Sequence, residues 1–199
     1  MFEAVAIGVS AGGLQALRTL LGGLPASFPL PIAVVQHIEA RSDTYLCDYL
    51  DELSSIDVKE AEDKELLRSG VAYLAPAGYH LLIEPDRSFS LSIDEKVNFC
   101  RPSIDLLFES AADAFGRRLI GVILTGANGD GALGLKRIKE RGGFALVQNP
   151  ETAEAPYMPR AAIAATPVDQ VTDLDLIAPI LIKLGERTAH GSCTEHACL

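Results

Sequence analysis

The segment Ala4-Val-Ala-Ile-Gly-Val-Ser-Ala-Gly-Gly13 decides the fold class of this 199-residue chain. An apolar run long enough for one buried strand is followed at once by a turn of small residues. Behind the turn, Leu14, Leu17 and Leu21 recur at helical spacing, so the segment predicts a strand, a tight turn and a helix. Such an apolar strand, joined to an amphipathic helix, is typical of a parallel sheet covered on both faces.

The same alternation continues along the chain. Further apolar runs, each a strand candidate, cover residues 31–37, 71–76, 80–84, 89–93, 119–124 and 144–148. Helical patterns cover residues 44–53, 104–115, 132–141 and 174–184, and Ser103 is a candidate N-cap of the second. The three closely spaced runs between 71 and 93 are expected to pair antiparallel, because parallel neighbours need longer connections.

This alternation predicts an α/β fold: a doubly wound, mainly parallel sheet with helices on both faces. Residues 1–184 are expected to form the domain and residues 185–199 a disordered tail.

The composition limits which partners and which cellular compartment are expected for this protein. The formal net charge is −10 and the pI about 4.8, which disfavours nucleic acid and anionic membranes as partners, since both attract a surplus of Lys and Arg. No apolar run is long enough to span a bilayer, and the first residues lack the basic region of a signal peptide. The four cysteines are mostly far apart and are expected to be reduced thiols. Together these features predict a cytoplasmic protein without membrane insertion.

Three polar side chains follow three of the predicted strands: Ser10, His37 and Asp130. The carboxyl ends of parallel strands share one edge of a sheet, so these side chains are expected to converge there. They are the residue types of a nucleophile, a general base and a group that orients the base. Taken singly, each also has an ordinary structural explanation as a turn, cap or buried residue.

The stretch Gly8-Val-Ser-Ala-Gly12 matches the G-x-S-x-G pattern that exposes a nucleophilic serine, and the N–H groups after Ser10 are candidates for an oxyanion hole. The chain order Ser, His, Asp differs from that of α/β-hydrolases. A dinucleotide site is the competing interpretation, with Glu39 near the expected ribose-binding position. Ser10 disfavours it, because it occupies the place of a glycine that approaches pyrophosphate.

Seven motifs, taken in order, closely resemble the catalytic domain of chemotaxis protein-glutamate methylesterases of the CheB type. They are Ile7-Gly-Val-Ser-Ala-Gly-Gly-Leu14, Val35-Gln-His37, Tyr73-Leu-Ala-Pro-Ala-Gly-Tyr-His80, Arg101-Pro-Ser-Ile-Asp-Leu-Leu-Phe108, Leu124-Thr-Gly-Ala-Asn-Gly-Asp-Gly-Ala132, Gln148-Asn-Pro-Glu-Thr-Ala153 and Met158-Pro-Arg160. The resemblance covers about residues 4–184. It implies hydrolysis of γ-glutamyl methyl esters on chemoreceptor helices with release of methanol and, in some members, deamidation of receptor glutamines. It also implies a triad of Ser10, His37 and Asp130 that needs no metal and no organic cofactor.

The chain departs from the family pattern in places. The family often has Gln-His-Met-Pro where this chain has Gln36-His-Ile-Glu39, and a methionine where it has Ala127. Typical members carry a receiver domain ahead of the catalytic one, for which 199 residues leave no room. His80 matches a family histidine outside the triad and is expected to have a structural or rim role.

The expected partners are methylated cytoplasmic helices of chemoreceptors, with other chemotaxis signalling proteins as further candidates. Charge is acidic over residues 51–65 and slightly basic over 101–150, so acidic helices are expected to dock near Arg117 and Arg118. A catalytically silent CheB-like binding module in a signalling complex is the alternative function. Cys193, His196 and Cys198 fit no standard zinc spacing, and no metal is expected.

Overall fold

Nine strands and six helices are present in the computed structural model, which describes residues 1–37 and 45–189. The strands are β1 (Ala4–Val9), β2 (Ile32–Gln36), β3 (Asp57–Glu60), β4 (Val71–Leu74), β5 (His80–Ile83), β6 (Phe89–Ser92), β7 (Leu119–Ile123), β8 (Phe144–Gln148) and β9 (Gln170–Thr172). The helices are α1 (Gly13–Gly22), α2 (Tyr45–Leu53), α3 (Ile104–Phe115), α4 (Ala132–Glu140), α5 (Tyr157–Ala165) and α6 (Leu174–Ala189).

Seven of the strands form one parallel sheet in the order β3-β4-β2-β1-β7-β8-β9. From the central strand β1, the chain builds outward first through β2 and later, on the other side, through β7. The direction of building therefore switches between β1 and β7, and ligands of such sheets bind at the carboxyl ends of the strands beside the switch. The predicted doubly wound α/β fold is confirmed.

The two faces of the sheet carry separate apolar cores, because successive side chains of a strand point to opposite faces. Val5 and Ile7 of β1 pack with buried residues of α1, α2 and α6, and we call this side the α1 face. Ala4 and Ala6 pack with buried residues of α3, α4 and α5, and we call this side the α3 face.

The antiparallel pairing predicted for residues 71–93 is only partly right. β5 and β6 do form an antiparallel hairpin, but β4 pairs in parallel with β2 and β3. The physical reason is that α2 and β3 lie between β2 and β4 in the chain and supply the long crossover that a parallel pair needs. β3 itself lies within the acidic segment 51–65, where Val58 is buried and Asp57 is exposed, as suits an edge strand.

Three of the named strands and helices, β3, α5 and β9, have no counterpart in the sequence prediction. Pro159 obscures the helical pattern of α5, although it falls in the first turn, where a proline is tolerated. Helix α6 continues to Ala189, five residues past its predicted end, so residues 185–189 are helical and not part of a disordered tail as predicted. The proposed tail beyond it, with Cys193, His196 and Cys198, lies outside the described residues. None of the helices described is long and apolar enough to cross a bilayer.

Two glycines allow the N-terminus of α3 to approach the carboxyl edge of the sheet. A Cβ atom on Gly8 of β1 would lie 2.3 Å from Ile104 Cγ2, and one on Gly131 would lie 2.6 Å from the same atom. Gly131 also has φ 94°, a left-handed conformation that a side chain would strain. Both positions therefore require glycine, and this close packing brings the first turn of α3 next to the loop that follows β7.

We expect Gly8→Ala to lower the free energy of unfolding by about 1–3 kcal/mol, because the buried, β-branched Ile104 would have to move. Urea unfolding measures this. Gly22→Ala at the end of α1 is the matched control, since its Cβ would meet only a backbone oxygen at 3.5 Å. The control is expected to be neutral or to stabilise by up to about 1 kcal/mol. A Gly8→Ala protein as stable as the wild type would contradict the packing described.

Candidate active site

The structure places the three predicted site residues at one edge of the sheet. Ser10 directly follows β1, His37 directly follows β2, and Asp130 lies between β7 and α4. Since β1 lies between β2 and β7, the three positions are neighbours. Backbone hydrogen bonds join the strand ends: His37 N donates to Val9 O at 3.0 Å, and Ser10 N donates to Thr125 O at 2.9 Å.

The carboxylate of Asp130 is the best-connected group of the site. It is buried and accepts hydrogen bonds from three side chains and two backbone N–H groups. The donors are His37 Nε2 at 2.8 Å, Asn98 Nδ2 at 3.2 Å, Ser103 Oγ at 3.0 Å, Ile104 N at 2.7 Å and Asp105 N at 3.3 Å. Burial alone would raise the pKa of Asp130, but the bonds from His37, Ile104 and Asn98 outweigh it and lower the pKa. Asp130 is therefore an anion at neutral pH.

Asp130 also caps helix α3. The helix begins at Ile104, as the predicted N-cap Ser103 requires, but the Ser103 hydroxyl makes no capping bond to its own helix. It donates to Asp130 instead, and Asp130 accepts from the first two N–H groups of the helix. The positive end of the helix dipole favours a negative charge there. The carboxylate that contacts His37 is thus held by the α3 N-terminus.

The hydrogen bond with Asp130 decides which nitrogen of His37 can act as a base. An ionised carboxylate only accepts hydrogen bonds, so Nε2 carries the proton and Nδ1 is left unprotonated in the neutral ring. Nδ1 faces Asn128 Nδ2 at 3.3 Å and Cys100 Sγ at 3.8 Å. The Asn128 amide can donate to Nδ1, and this bond favours the same tautomer.

Ser10 is at the same edge but is not yet in contact with the base. Within residues 1–37 and 45–189, the Ser10 hydroxyl makes no hydrogen bond to the His37 ring, while its carbonyl oxygen accepts from Gln36 Nε2 at 3.0 Å. Catalytic hydrogen bonds are often long in free enzymes and tighten when substrate binds. The unprotonated Nδ1 has one lone pair, so a hydrogen bond from Ser10 would replace the one from Asn128.

Sequence reasoning missed several residues around Asp130. Asn98 donates to both Asp105 Oδ2 at 3.0 Å and Asp130 Oδ1 at 3.2 Å, and so bridges two buried carboxylates. Asn128 could have been suspected, since it lies two residues before Asp130 in the glycine-rich turn. Asn98 and Cys100 carry no pattern that reveals their role, because a chain reversal brings them to the site.

His80 has the structural role expected of it. The ring is fully buried, Nδ1 accepts a hydrogen bond from Ser103 N at 3.2 Å, and Nε2 donates to Glu95 O at 3.0 Å. Both nitrogens are thus engaged, and His80 fixes the segment ahead of α3 rather than lying on the rim of the site.

One group of potential metal ligands occurs in the described part of the chain, formed by His37, Cys100 and Asp130, with donor atoms within 4.8 Å of one another. Burial, and then the charge of Asp130, raise the pKa of Cys100, so its sulfur remains a neutral thiol at neutral pH. Transition metals prefer the thiolate. The His37–Asp130 hydrogen bond already accounts for the arrangement, and the donor set does not favour a resident metal.

A cleft of about 610 Å³ adjoins Ser10 on the α1 face. Its walls include Leu14, Tyr45 and Tyr49, and the two tyrosine rings stack with centroids 6.1 Å apart. Glu154 is the carboxylate among the cleft residues. The cleft is therefore mainly apolar with one acidic group.

Glu39, considered above for a dinucleotide site, lies outside the described residues.

The structure places Arg117 and Arg118 away from the candidate site, and docking of a substrate helix near them stays a prediction. Both lie in a short 3₁₀ turn before β7, at the amino edge of the sheet, and Arg118 pairs with Glu3 at 2.7 Å. Ser10 lies at the carboxyl edge, one strand length or roughly 17 Å away. A segment bound to these arginines would be at the opposite end of the sheet from the candidate site.

Asp105 gives the site a specific pH signature. Burial raises its pKa to about 6, and the charges of Asp130 and Glu109 add to the effect, while hydrogen bonds from Gly134 and Gly131 oppose it. Between about pH 4 and pH 6 the folded protein therefore holds a proton that the unfolded chain has released, so this group makes stability fall as pH rises through that range.

We expect Asp105→Asn to make the slope of unfolding free energy against pH less negative between about pH 4 and pH 6. Urea titrations at several pH values measure the slope, and an unchanged slope would contradict the assignment.

Comparison with known proteins places this chain in a family. The family model for CheB methylesterase matches residues 5–181. A relative from Leptospira interrogans is 57% identical over 93% of this chain and 96% of its own length. A Geobacillus kaustophilus relative, named protein-glutamate methylesterase/protein-glutamine glutaminase, is 45% identical over 90% of this chain, which spans 53% of that relative.

A solved structure agrees with these sequence relationships. The crystal structure of the Thermotoga maritima CheB methylesterase catalytic domain matches with a TM-score of 0.88 and 35% identity, covering 92% of this chain and 99% of that one. Fold and sequence thus agree, and the chain belongs to the CheB methylesterase family.

Proposed function

We propose that this chain is a serine esterase that hydrolyses γ-glutamyl methyl esters on the cytoplasmic helices of chemoreceptors and releases methanol. The observation that carries the proposal is the 2.8 Å bond between His37 Nε2 and the buried Asp130 at the strand end next to Ser10. It fixes the tautomer in which Nδ1 can accept a proton. The names of the relatives supply the substrate class, and the proposal assigns the enzyme to the cytoplasm, where such helices lie.

In the proposed reaction, Ser10 Oγ attacks the ester carbonyl and its proton passes to His37 Nδ1. The imidazolium is stabilised by Asp130, which stays ionised. Collapse of the tetrahedral intermediate breaks the carbonyl–methoxy bond, and methanol leaves with the proton from His37. A water, deprotonated by the same nitrogen, then hydrolyses the acyl-enzyme and frees the glutamate carboxylate together with Ser10.

The oxyanion requires donors near Ser10. Gly13 N donates to Ser10 O at 2.9 Å, so it is engaged within the turn itself. The N–H groups of Ala11 and Gly12 are the remaining candidates, and the bond from Thr125 Oγ1 to Ala11 O at 2.9 Å holds the Ala11–Gly12 peptide in place. A peptide fixed in advance stabilises developing charge without reorganisation.

The same groups could act on a receptor glutamine. Ser10 would attack the amide carbonyl, and His37 would protonate the nitrogen that leaves as ammonia. An amide is less reactive than an ester, so deamidation is expected to be the slower of the two reactions at this site.

The test is methanol release from a methylated chemoreceptor. We expect the wild type to release methanol and Ser10→Ala to lower kcat by about 10³-fold or more, because the nucleophile is lost. Ser27→Ala, which alters an exposed serine in the loop after α1, is the matched control and is expected to keep the wild-type rate.

Receptor binding without methanol release would overturn the esterase and favour the silent binding module. Equal release by the wild type and Ser10→Ala would instead show that Ser10 is not the nucleophile.

A further inference from the structure

The exposed aromatic ring of Phe99 stands next to the candidate site without any role in it. It is 94% exposed, the highest value among the large apolar side chains of the described residues. Exposed apolar side chains are common on protein surfaces and need no explanation by themselves. Two further observations make this one different.

The first observation is the backbone that carries the ring. Val97 and Cys100 exchange two backbone hydrogen bonds, of 3.1 and 2.8 Å, so Asn98 and Phe99 form a two-residue turn. Both central residues have positive φ, 49° and 64°. Turns of this kind favour Asn followed by Gly, and the first position here is indeed Asn. A phenylalanine in the second position strains the backbone where glycine would not. The turn alone therefore does not explain the ring.

The second observation is that the residues on either side of Phe99 contact Asp130 and His37. Asn98 Nδ2 donates to Asp130 Oδ1, and Cys100 Sγ lies 3.8 Å from His37 Nδ1. The residues on either side of Phe99 thus contact the two members of the hydrogen-bonded pair. The backbone that carries the Phe99 ring is therefore held close to the atoms that would carry out the reaction.

The location of the turn indicates what it would contact. The turn precedes α3, which packs on the α3 face, whereas the apolar cleft beside Ser10 is on the α1 face. The candidate site lies at the sheet edge between these two faces. A substrate segment with its ester carbonyl at Ser10 would meet the cleft on one side and Phe99 on the other.

We propose that Phe99 is a docking residue for the helix that carries the esterified glutamate, contacting an apolar side chain of that helix. The inference rests on the proposed function and names the surface by which that site recognises a helical substrate. The strained, solvent-exposed ring is kept at the site because it becomes buried when the helix binds. Burial of one such ring is enough to change affinity by about tenfold or more.

The test uses Ser10→Ala protein, so that a methylated receptor helical bundle binds without turnover, and measures Kd by calorimetry. Adding Phe99→Gly is expected to raise Kd by about tenfold or more, whereas adding Phe99→Tyr is expected to keep it within a few-fold of the parent. Leu66→Ala, which alters an exposed side chain in the segment before β4, is the control for general loss of apolar surface. Glycine suits the positive φ, so the Phe99→Gly protein should remain folded, as thermal unfolding would verify.

Unchanged Kd in the Phe99→Gly protein, or no measurable binding by the parent, would overturn the inference. So would a Phe99→Gly protein whose oligomeric state in solution differs from that of the parent, since the ring would then contact a second copy of this chain. With Ser10 present, the ratio of kcat/KM for the bundle to that for free glutamate γ-methyl ester should fall about tenfold on Phe99→Gly. Failure of the proposed function would appear differently, as absence of methanol release by the wild type.

Discussion

The rest of the site depends on the hydrogen bonds that the buried carboxylate of Asp130 accepts. This carboxylate connects the loop after β7 to the N-terminus of α3, to the turn at Asn98 and to the His37 ring. The bonds that cap the helix are therefore also those that keep Asp130 ionised and able to orient His37. Helix packing and base orientation share one group here, and close packing at Gly8 and Gly131 is what allows α3 to approach it.

Two carboxylates lie side by side in this structure, and their surroundings give them opposite properties. Asp130 accepts five hydrogen bonds, and its pKa is lowered. Asp105 is also buried but has fewer donors and faces the charge of Asp130, so its pKa is raised to about 6. Asn98, which donates to both, couples them. The comparison shows that donor count, more than burial, decides which of two neighbouring acids stays charged.

Much of this arrangement could be predicted from the sequence, because it depends on local patterns. The run Ala4–Val9 and the turn after it predicted β1 and α1, and the rule that parallel strand ends share an edge brought Ser10, His37 and Asp130 together. What could not be predicted depends on contacts distant in sequence. One such contact is the pairing of β4 with β2, and another is the hydrogen bond from Ser103 to Asp130, which replaces a bond to its own helix. A third is the position of Asn98 and Cys100 beside His37, which the fold of the chain brings about. The position of Arg117 and Arg118 could not be predicted either, since the charge of a sequence segment does not show at which edge of the sheet that segment lies.

Asp130 holds His37 in the tautomer whose unprotonated Nδ1 can accept a proton, and the proposed reaction depends on this. The most direct measurement is long-range ¹H–¹⁵N correlation of the imidazole in ¹⁵N-labelled protein, at a pH where the ring is neutral, with a Cys100→Ser or Asn128→Ala protein helping to identify the His37 signals. We expect a protonated Nε2 and an unprotonated Nδ1 for His37. A ring protonated at Nδ1 would contradict this expectation, because the hydrogen bond to Asp130 would then be absent and Nδ1 could not accept a proton.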